Sequence, residues 1–303
     1  MEKNMIQFGT IELKDRIFIN DFTHNFNPMS CEYSFTNLFC WKELYGLSWT
    51  IHKKRLLIHD RVDGYTLMPL GPEPSAKELA ELSLELIKAG TTGDLALVPP
   101  DYLERHPDLT GYYTITEEED FADYIYETLD LVELKGKKLH KKKNLLSQFH
   151  RNYPEARVEK ITDQVKDLCL DLAERLYQEL PVISRTNAEE HLALKEAFQH
   201  FEPLGLEGIA ITVHGKVVAF AIFSSLNSST YDIHFEKADL EFKGSYQIIN
   251  HETAKYLMVK CNLMNREQDL GIPGIRKAKL SYAPTRIYST VMLKFKSQTQ
   301  KSI

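Results

Sequence analysis

The densest run of chemically capable side chains lies between Asp232 and Tyr282. Asp232, His234 and Glu236 alternate along a β-rich run at 230–237, and period-two spacing puts all three on one face of a strand. A carboxylate there is placed to take a proton from an attacking amine, directly or through water, so Glu236 is the candidate general base. Its alternative is an ion pair with Lys237 or Arg266. His234 is a second catalytic candidate, or a packed, hydrogen-bonded histidine. Asn265, Arg266, Glu267 and Asp269 crowd the end of a short strand, which is where substrate pockets form in sheets with parallel strands. Arg266 among carboxylates either clamps a substrate carboxylate or ties its own loop. Lys243, Gly244 and Ser245 form a turn between a strand end and a helix start, where free amides and the helix dipole favour an anion. A plain strand-to-helix turn is the alternative.

A second charged feature lies mid-chain. Residues 117–130 hold seven acids and no Lys or Arg, and residues 135–143 then hold six lysines, among them Lys138, Lys141 and Lys142. With Leu139, Leu146, Phe149 and Tyr153 as a rough apolar stripe, the run reads as a helix with projecting lysines. Such lysines suit tRNA, an anionic membrane surface or a nucleotide tail. The alternative is a solvated helix paired with the acidic run. The change of sign marks a joint between halves, giving expected domains at 1–130 and 131–303.

The whole chain of 303 residues is otherwise ordinary: 43% apolar, 26% charged, net charge −6. That composition excludes a disordered or disulfide-built protein. The longest apolar run, 217–223, is far short of the roughly 20 residues a membrane helix needs. The start carries no secretion signal, so a cytoplasmic location is expected. Four scattered cysteines without a CxxC pair read as buried thiols. There is no HExxH, GxSxG, Walker loop or paired Cys/His set, so metalloprotease, zinc, serine-hydrolase and nucleotidase readings lack support and no metal is expected.

The elements that must hold these residues repeat. In the second half, helical periodicity at 165–176 and from 194 (with Asn187 and Glu190 as capping box) precedes a hairpin of 208–213 and 216–225 turning at His214-Gly215. A third strand at 230–237, a helix after Ser245, a short strand near Leu263, a helix at 275–280 and a last strand at 286–295 follow. In the first half, a helix at 33–45 leads to strands at 49–52, 55–60 and 65–70. A helix capped by Ser75 and Glu78 and a strand at 94–98 complete it. Three antiparallel strands and a helical crossover to a parallel strand is the element order of the acyl-CoA N-acyltransferase (GNAT) fold. The expectation is therefore α/β (mixed α+β) architecture with two tandem GNAT-like domains, each a mixed, mostly antiparallel sheet flanked by helices.

Specific strings carry a resemblance further. These are Leu134-Lys135-Gly136-Lys137-Lys138-Leu139-His140, Ile233-His234-Phe235-Glu236-Lys237-Ala238-Asp239, Lys243-Gly244-Ser245-Tyr246-Gln247, Asn265-Arg266-Glu267-Gln268-Asp269-Leu270-Gly271 and Arg276-Lys277-Ala278-Lys279-Leu280-Ser281-Tyr282. They resemble a bacterial family grouped with the C-terminal domain of phosphatidylglycerol lysyltransferase, and Glu32-Tyr33-Ser34-Phe35-Thr36-Asn37-Leu38 looks like that family's N-terminal signature. The resemblance implies relationship to enzymes that move an aminoacyl group from charged tRNA to an amine or hydroxyl. By fold analogy, Lys243, Gly244 and Ser245 would hold donor phosphate and Tyr282 would protonate the leaving group, the alternative for Tyr282 being a packing role.

The resulting expectation is an acyl or aminoacyl transferase acting on a small-molecule or peptide acceptor. Acyl-CoA or aminoacyl-tRNA would be co-substrate, with no tightly bound cofactor and peripheral membrane contact left open. Glu236, Tyr282 and His234 would be catalytic, with Asn265, Arg266, Glu267 and Asp269 around substrate. The competing expectation is a non-catalytic module that binds tRNA or another phosphorylated ligand through Lys138, Lys141 and Lys142.

Overall fold

The computed structural model describes residues 5–296. The first sheet is built from β1 (Gly9–Thr10), β2 (Ser48–His52), β3 (Arg55–His59), β4 (Thr66–Leu67), β5 (Leu95–Val98) and β6 (Tyr113–Glu117). The second uses β7 (Asp123–Glu127), β8 (Arg157–Lys160), β9 (Glu207–Val213), β10 (Lys216–Ser225), β11 (Thr230–Ala238), β12 (Leu263–Asn265) and β13 (Arg286–Tyr288). The last strand, β14 (Val291–Phe295), returns to the first sheet.

Both hairpins close through two-residue turns with positive φ at both positions, Lys53-Lys54 (48° and 65°) and His214-Gly215 (50° and 76°). Turns of that hand match the twist of the flanking strands. The Ser75–Glu78 capping box forms as expected. The other box shifts by three residues: Ser184 is the N-cap and Asn187, the expected cap, is its partner, because Ser184-x-x-Asn187 offers the same reciprocal bonds one turn earlier. The expected strand at 65–70 shrinks to β4, since Pro69 has no amide to donate and only an isolated bridge between Leu56 and Leu70 follows.

The strand orders are β1-β2-β3-β4-β5-β14-β6 and, read in the matching direction, β8-β9-β10-β11-β12-β7-β13. In each, the fourth strand is parallel to the fifth across a helical crossover and antiparallel to the third. This is a tandem GNAT-like architecture, with β4 and β11 in equivalent central positions. The sixth strands are exchanged. β7 follows β6 in sequence but pairs with β12 and β13, while β14 pairs with β5 and β6. Two expectations are corrected by this exchange. A division at 130/131 does not follow the sheets, and the single strand at 286–295 is two strands in different sheets, broken at Ser289 and Thr290.

β10 is buried from Val217 to Phe223 because both its faces are covered. One apolar core joins the halves, with Phe35, Leu38, Ile58 and Leu97 of the first packed together with Val165, Leu172, Phe198 and Phe220 of the second. All four cysteines are buried free thiols. No helix among the described residues is long and apolar enough to cross a membrane.

Candidate active site

β11 and β12 pair in parallel over Thr230–Asp232 and Leu263–Asn265. Beyond Asn265 the backbone bonds with Tyr124 of β7 instead, so the two parallel strands separate and leave a gap. A bulge sets what faces it. On β10, Ile222 opposes Phe235 and Phe223 opposes Ile233, so His234 is an extra residue without a partner. An extra residue breaks the period-two alternation. Asp232 and His234 therefore face the first half of the chain, while Glu236 faces the helix Ser245–Leu257. This corrects the expectation that the three share one face.

On the helix side, Glu236 Oε1 accepts from Arg266 Nη2 at 2.8 Å, and Asn250 Nδ2 lies 3.5 Å from Oε2. Arg266 is stacked near the rings of Tyr282 (4.9 Å) and Tyr126 (5.6 Å), and Lys142 Nζ lies 4.1 Å from the Tyr282 ring. Glu236 is 11% exposed and committed to a buried guanidinium, the arrangement of a structural ion pair more than of a base. Tyr282 is buried with its hydroxyl unpartnered, and burial raises that hydroxyl's pKa.

The Lys243-Gly244-Ser245 turn takes its plain reading. Gly244 has φ of 93° and caps the helix Ser245–Leu257, but a Cβ there would stand 2.7 Å from the Leu145 carbonyl. The glycine thus permits close packing by the helix His140–Asn152, which covers the turn. Ser245 is buried, its hydroxyl donating to the Asp239 carbonyl. Only Lys243 is exposed.

The lysine run divides. Lys138 and Lys141 are exposed, whereas Lys142 is half-buried against Tyr282, and burial lowers its pKa. Lys135, Lys137, His140 and Lys143 line a groove of about 510 Å³. Among the described residues the run's single ion pair joins Lys135 to Glu133, so pairing with the acidic segment 117–130 does not occur there.

On the other side of the gap the polar residues converge with the first half. Asn265 donates to the Met29 carbonyl and to Asp123 Oδ1, both at 2.9 Å, and accepts from the Glu267 amide at 2.7 Å. It is a buried brace. Asp269 is likewise spoken for, by Arg276, Tyr124 and the Gly271 amide. Glu267, by contrast, reaches the wall of a cavity of about 460 Å³ between the halves. Among the described residues, five carboxylates line that cavity, Glu32, Asp60, Asp63, Glu118 and Glu267, with the aromatics Trp41, Tyr45, Tyr65 and Phe121 and no basic side chain.

Burial, reinforced by Asp123 and Glu267, pushes Glu32 up to about 7, and burial holds Asp123 at about 6. Asp60 and Glu118 are also raised by burial. Crowding acids in low dielectric disfavours their charged forms and makes the wall attractive to a cation. Glu32, Asp60, Asp63 and Glu118 were not legible as site residues, because they lie in the other half of the chain. The one local signal is Glu32 itself, an acid at the head of the otherwise uncharged stretch 31–41.

Fold and gap together define a tandem GNAT-like scaffold with a cleft at the separation of two parallel strands. The family model described as "Phosphatidylglycerol lysyltransferase, C-terminal" matches residues 24–292, and the chain belongs to that family. A conserved protein of unknown function from Bacteroides thetaiotaomicron has a solved structure with TM-score 0.88 and 33% identity, covering 96% of this chain and all of that one. The structure of L-PGS from Bacillus licheniformis aligns with TM-score 0.64 at 11% identity, over 97% of this chain and 95% of that one, which is a likeness of fold. An uncharacterised protein of Mycoplasmoides gallisepticum is 29% identical over 184 residues, covering 58% of this chain. The match spans only 57% of that relative's length.

Proposed function

We propose that this protein transfers an acyl or aminoacyl group from an activated donor, aminoacyl-tRNA or acyl-CoA, to an amine, which it binds as a cation in the cavity between the halves. The observation that carries this reading is the cavity wall: among the described residues, five carboxylates, four aromatic rings and no basic group, with burial pushing Glu32 up to about 7. Aromatic faces and carboxylates both attract an ammonium group. Once the amine has lost its proton to Glu32, its nitrogen attacks the donor carbonyl. A carbon–nitrogen bond forms, the bond to the tRNA ribose oxygen or the CoA sulfur breaks, and the leaving atom takes up a proton. A base with pKa near the working pH serves that step best. Glu267, shared by the gap and the cavity, positions the acceptor, and Glu236 with Arg266 holds the strands apart.

The test is a transfer assay with labelled aminoacyl-tRNAs and acyl-CoAs against a panel of primary amines, including lysine amide and short amine-bearing peptides. Transfer to amines and not to neutral isosteres is expected. Absence of transfer from every donor, with retained binding to phosphorylated ligands, would leave the second reading, a tRNA or phospho-ligand binding module. That reading draws on the basic groove lined by Lys135, Lys137, His140 and Lys143.

A further inference from the structure

We propose that Asp232, His234 and Glu267 form a binding site for a first-row divalent metal ion, for which Zn²⁺ is the best match. Spacing alone puts Asp232 and His234 on one strand face, but Glu267 lies 33 positions further on and only the gap brings it to them.

Asp232 is fully buried, and neither of its carboxylate oxygens has a hydrogen-bond partner among the described residues. A buried carboxylate without donors is strongly unfavourable unless a charge of opposite sign meets it. What faces it is His234 Nδ1, 3.4 Å from Asp232 Oδ2, and the same nitrogen lies 3.3 Å from Glu267 Oε1. One nitrogen thus stands between two carboxylates, and the donor atoms of all three residues lie within 4.8 Å of one another. A tetrahedral zinc ion with bonds of about 2.0–2.1 Å separates its ligands by roughly 3.4 Å. One imidazole and two carboxylates are ligands that zinc accepts, whereas calcium and magnesium take oxygen alone.

The surroundings orient the ligands as metal sites require. His234 Nε2 lies 2.8 Å from Ser224 Oγ, itself 3.3 Å from Thr36 Oγ1, which fixes the ring with Nδ1 toward the carboxylates. Asn37 Nδ2 donates to Glu267 Oε1 at 2.9 Å. The local charge also calls for a cation. Asp123, whose Oδ2 is likewise unpartnered, and Glu32 add to the negative field on Asp232. The nearby amine, Lys279, has its Nζ committed to the carbonyls of Arg266 and Gln268. Glu267 is 24% exposed and lines the cavity, so an ion held here is reached from that side and keeps an open coordination position toward it.

The competing arrangement is a proton shared among the same three groups. The two are separated by metal analysis of the untagged, full-length protein, followed by titration of chelator-treated protein with ZnCl₂ and, as a spectroscopic probe, CoCl₂. The expected result is one equivalent of Zn²⁺, a visible Co²⁺ spectrum displaced by Zn²⁺, and a rise in Tm on binding. Asp232→Asn and Glu267→Gln, which keep shape, should each weaken Zn²⁺ binding by about 10²-fold or more. Glu267→Gln, at the cavity rim, serves as the variant least able to disturb folding. No bound metal and no Zn²⁺-induced shift would overturn the proposal in favour of the shared proton. Zn²⁺ binding that survives both substitutions would overturn it as well, by placing the ion elsewhere. Neither readout needs a donor or acceptor, so the proposal fails or stands independently of the transfer reaction.

Discussion

Arg266 and Glu267 are consecutive residues that serve opposite faces of the second sheet. Arg266 Nη2 donates to Glu236 Oε1 at 2.8 Å, while Glu267 Oε1 lies 3.3 Å from His234 Nδ1. The peptide between them crosses the gap where β11 and β12 separate, and Glu267 takes a left-handed φ of 56° to do so. Lys279 holds this crossing by donating to the carbonyls on either side of Glu267, those of Arg266 and Gln268. Both polar clusters therefore depend on one short segment.

Removing that clamp should disturb both faces at once. Lys279→Met leaves two carbonyls of the crossing without their donor, at about 1–3 kcal/mol for each one left unsatisfied. A fall of that size in unfolding free energy, read from urea titration, with raised KM for the acceptor, is expected. Unchanged stability would show that the segment holds itself.

Glu236→Gln should act on stability first. It leaves the buried Arg266 guanidinium without its counter-charge, and breaking such a pair from one side removes roughly 3–5 kcal/mol. A drop in Tm at nearly constant kcat is the expected outcome. A 10²-fold loss of kcat at unchanged Tm would instead restore Glu236 as the base.

Glu32 should titrate in the stability curve. Its folded pKa, about 7, lies above the ordinary carboxylate value of about 4.3, so the folded state holds a proton that the unfolded state has lost between those values. Its contribution is fully present below about pH 4.3 and is lost as pH rises through 7. Asp123, at about 6, acts in the same direction. Urea unfolding at several pH values should show Glu32→Gln with a flatter decline from pH 5 to 8. The same variant should lose about 10²- to 10⁴-fold in turnover and the neutral limb of its pH–rate profile.

The exposed lysines should carry any polyanion binding. Four contacts by Lys137, Lys138, Lys141 and Lys143 would weaken tRNA binding about 10²-fold between about 50 and 200 mM salt. Charge reversal at Lys138 and Lys141 should flatten that slope, and reversal at Lys142 should lower Tm instead, because its amine rests on the Tyr282 ring. Equal salt slopes in wild type and the Lys138/Lys141 variant would make the run a solvated face.

The exchanged strands should make the two sheets unfold together. Leu293 of β14 is fully buried in the first sheet, although it lies near the chain's far end. Leu293→Ala should remove about 2–5 kcal/mol. Hydrogen exchange should then show lost protection in β5 and β6 along with β7 and β13. Loss confined to the first sheet would mean that the exchange does not couple them.

The sequence determined part of the local elements, and left β1, β6, β7 and β8 unread. Both hairpins, the capped helix beginning at Ala76 and the two crossovers follow from turn residues, caps and period, which act over a few positions. It also carried the family resemblance and brought Glu267 into view. What it could not determine depended on contacts between distant segments. A one-residue bulge turned Glu236 away from His234, since the alternation that placed them together holds only in an unbroken ladder. Gly244 looked like an anion cradle because its neighbour in space, Leu145, lies 99 positions away in sequence. The return of β14 to the first sheet, and the gathering of Glu32, Asp60, Asp63 and Glu118 against Glu267, were decided by tertiary pairing alone. Local spacing does not record which strand closes which sheet, and so does not record which acids will share one low-dielectric wall.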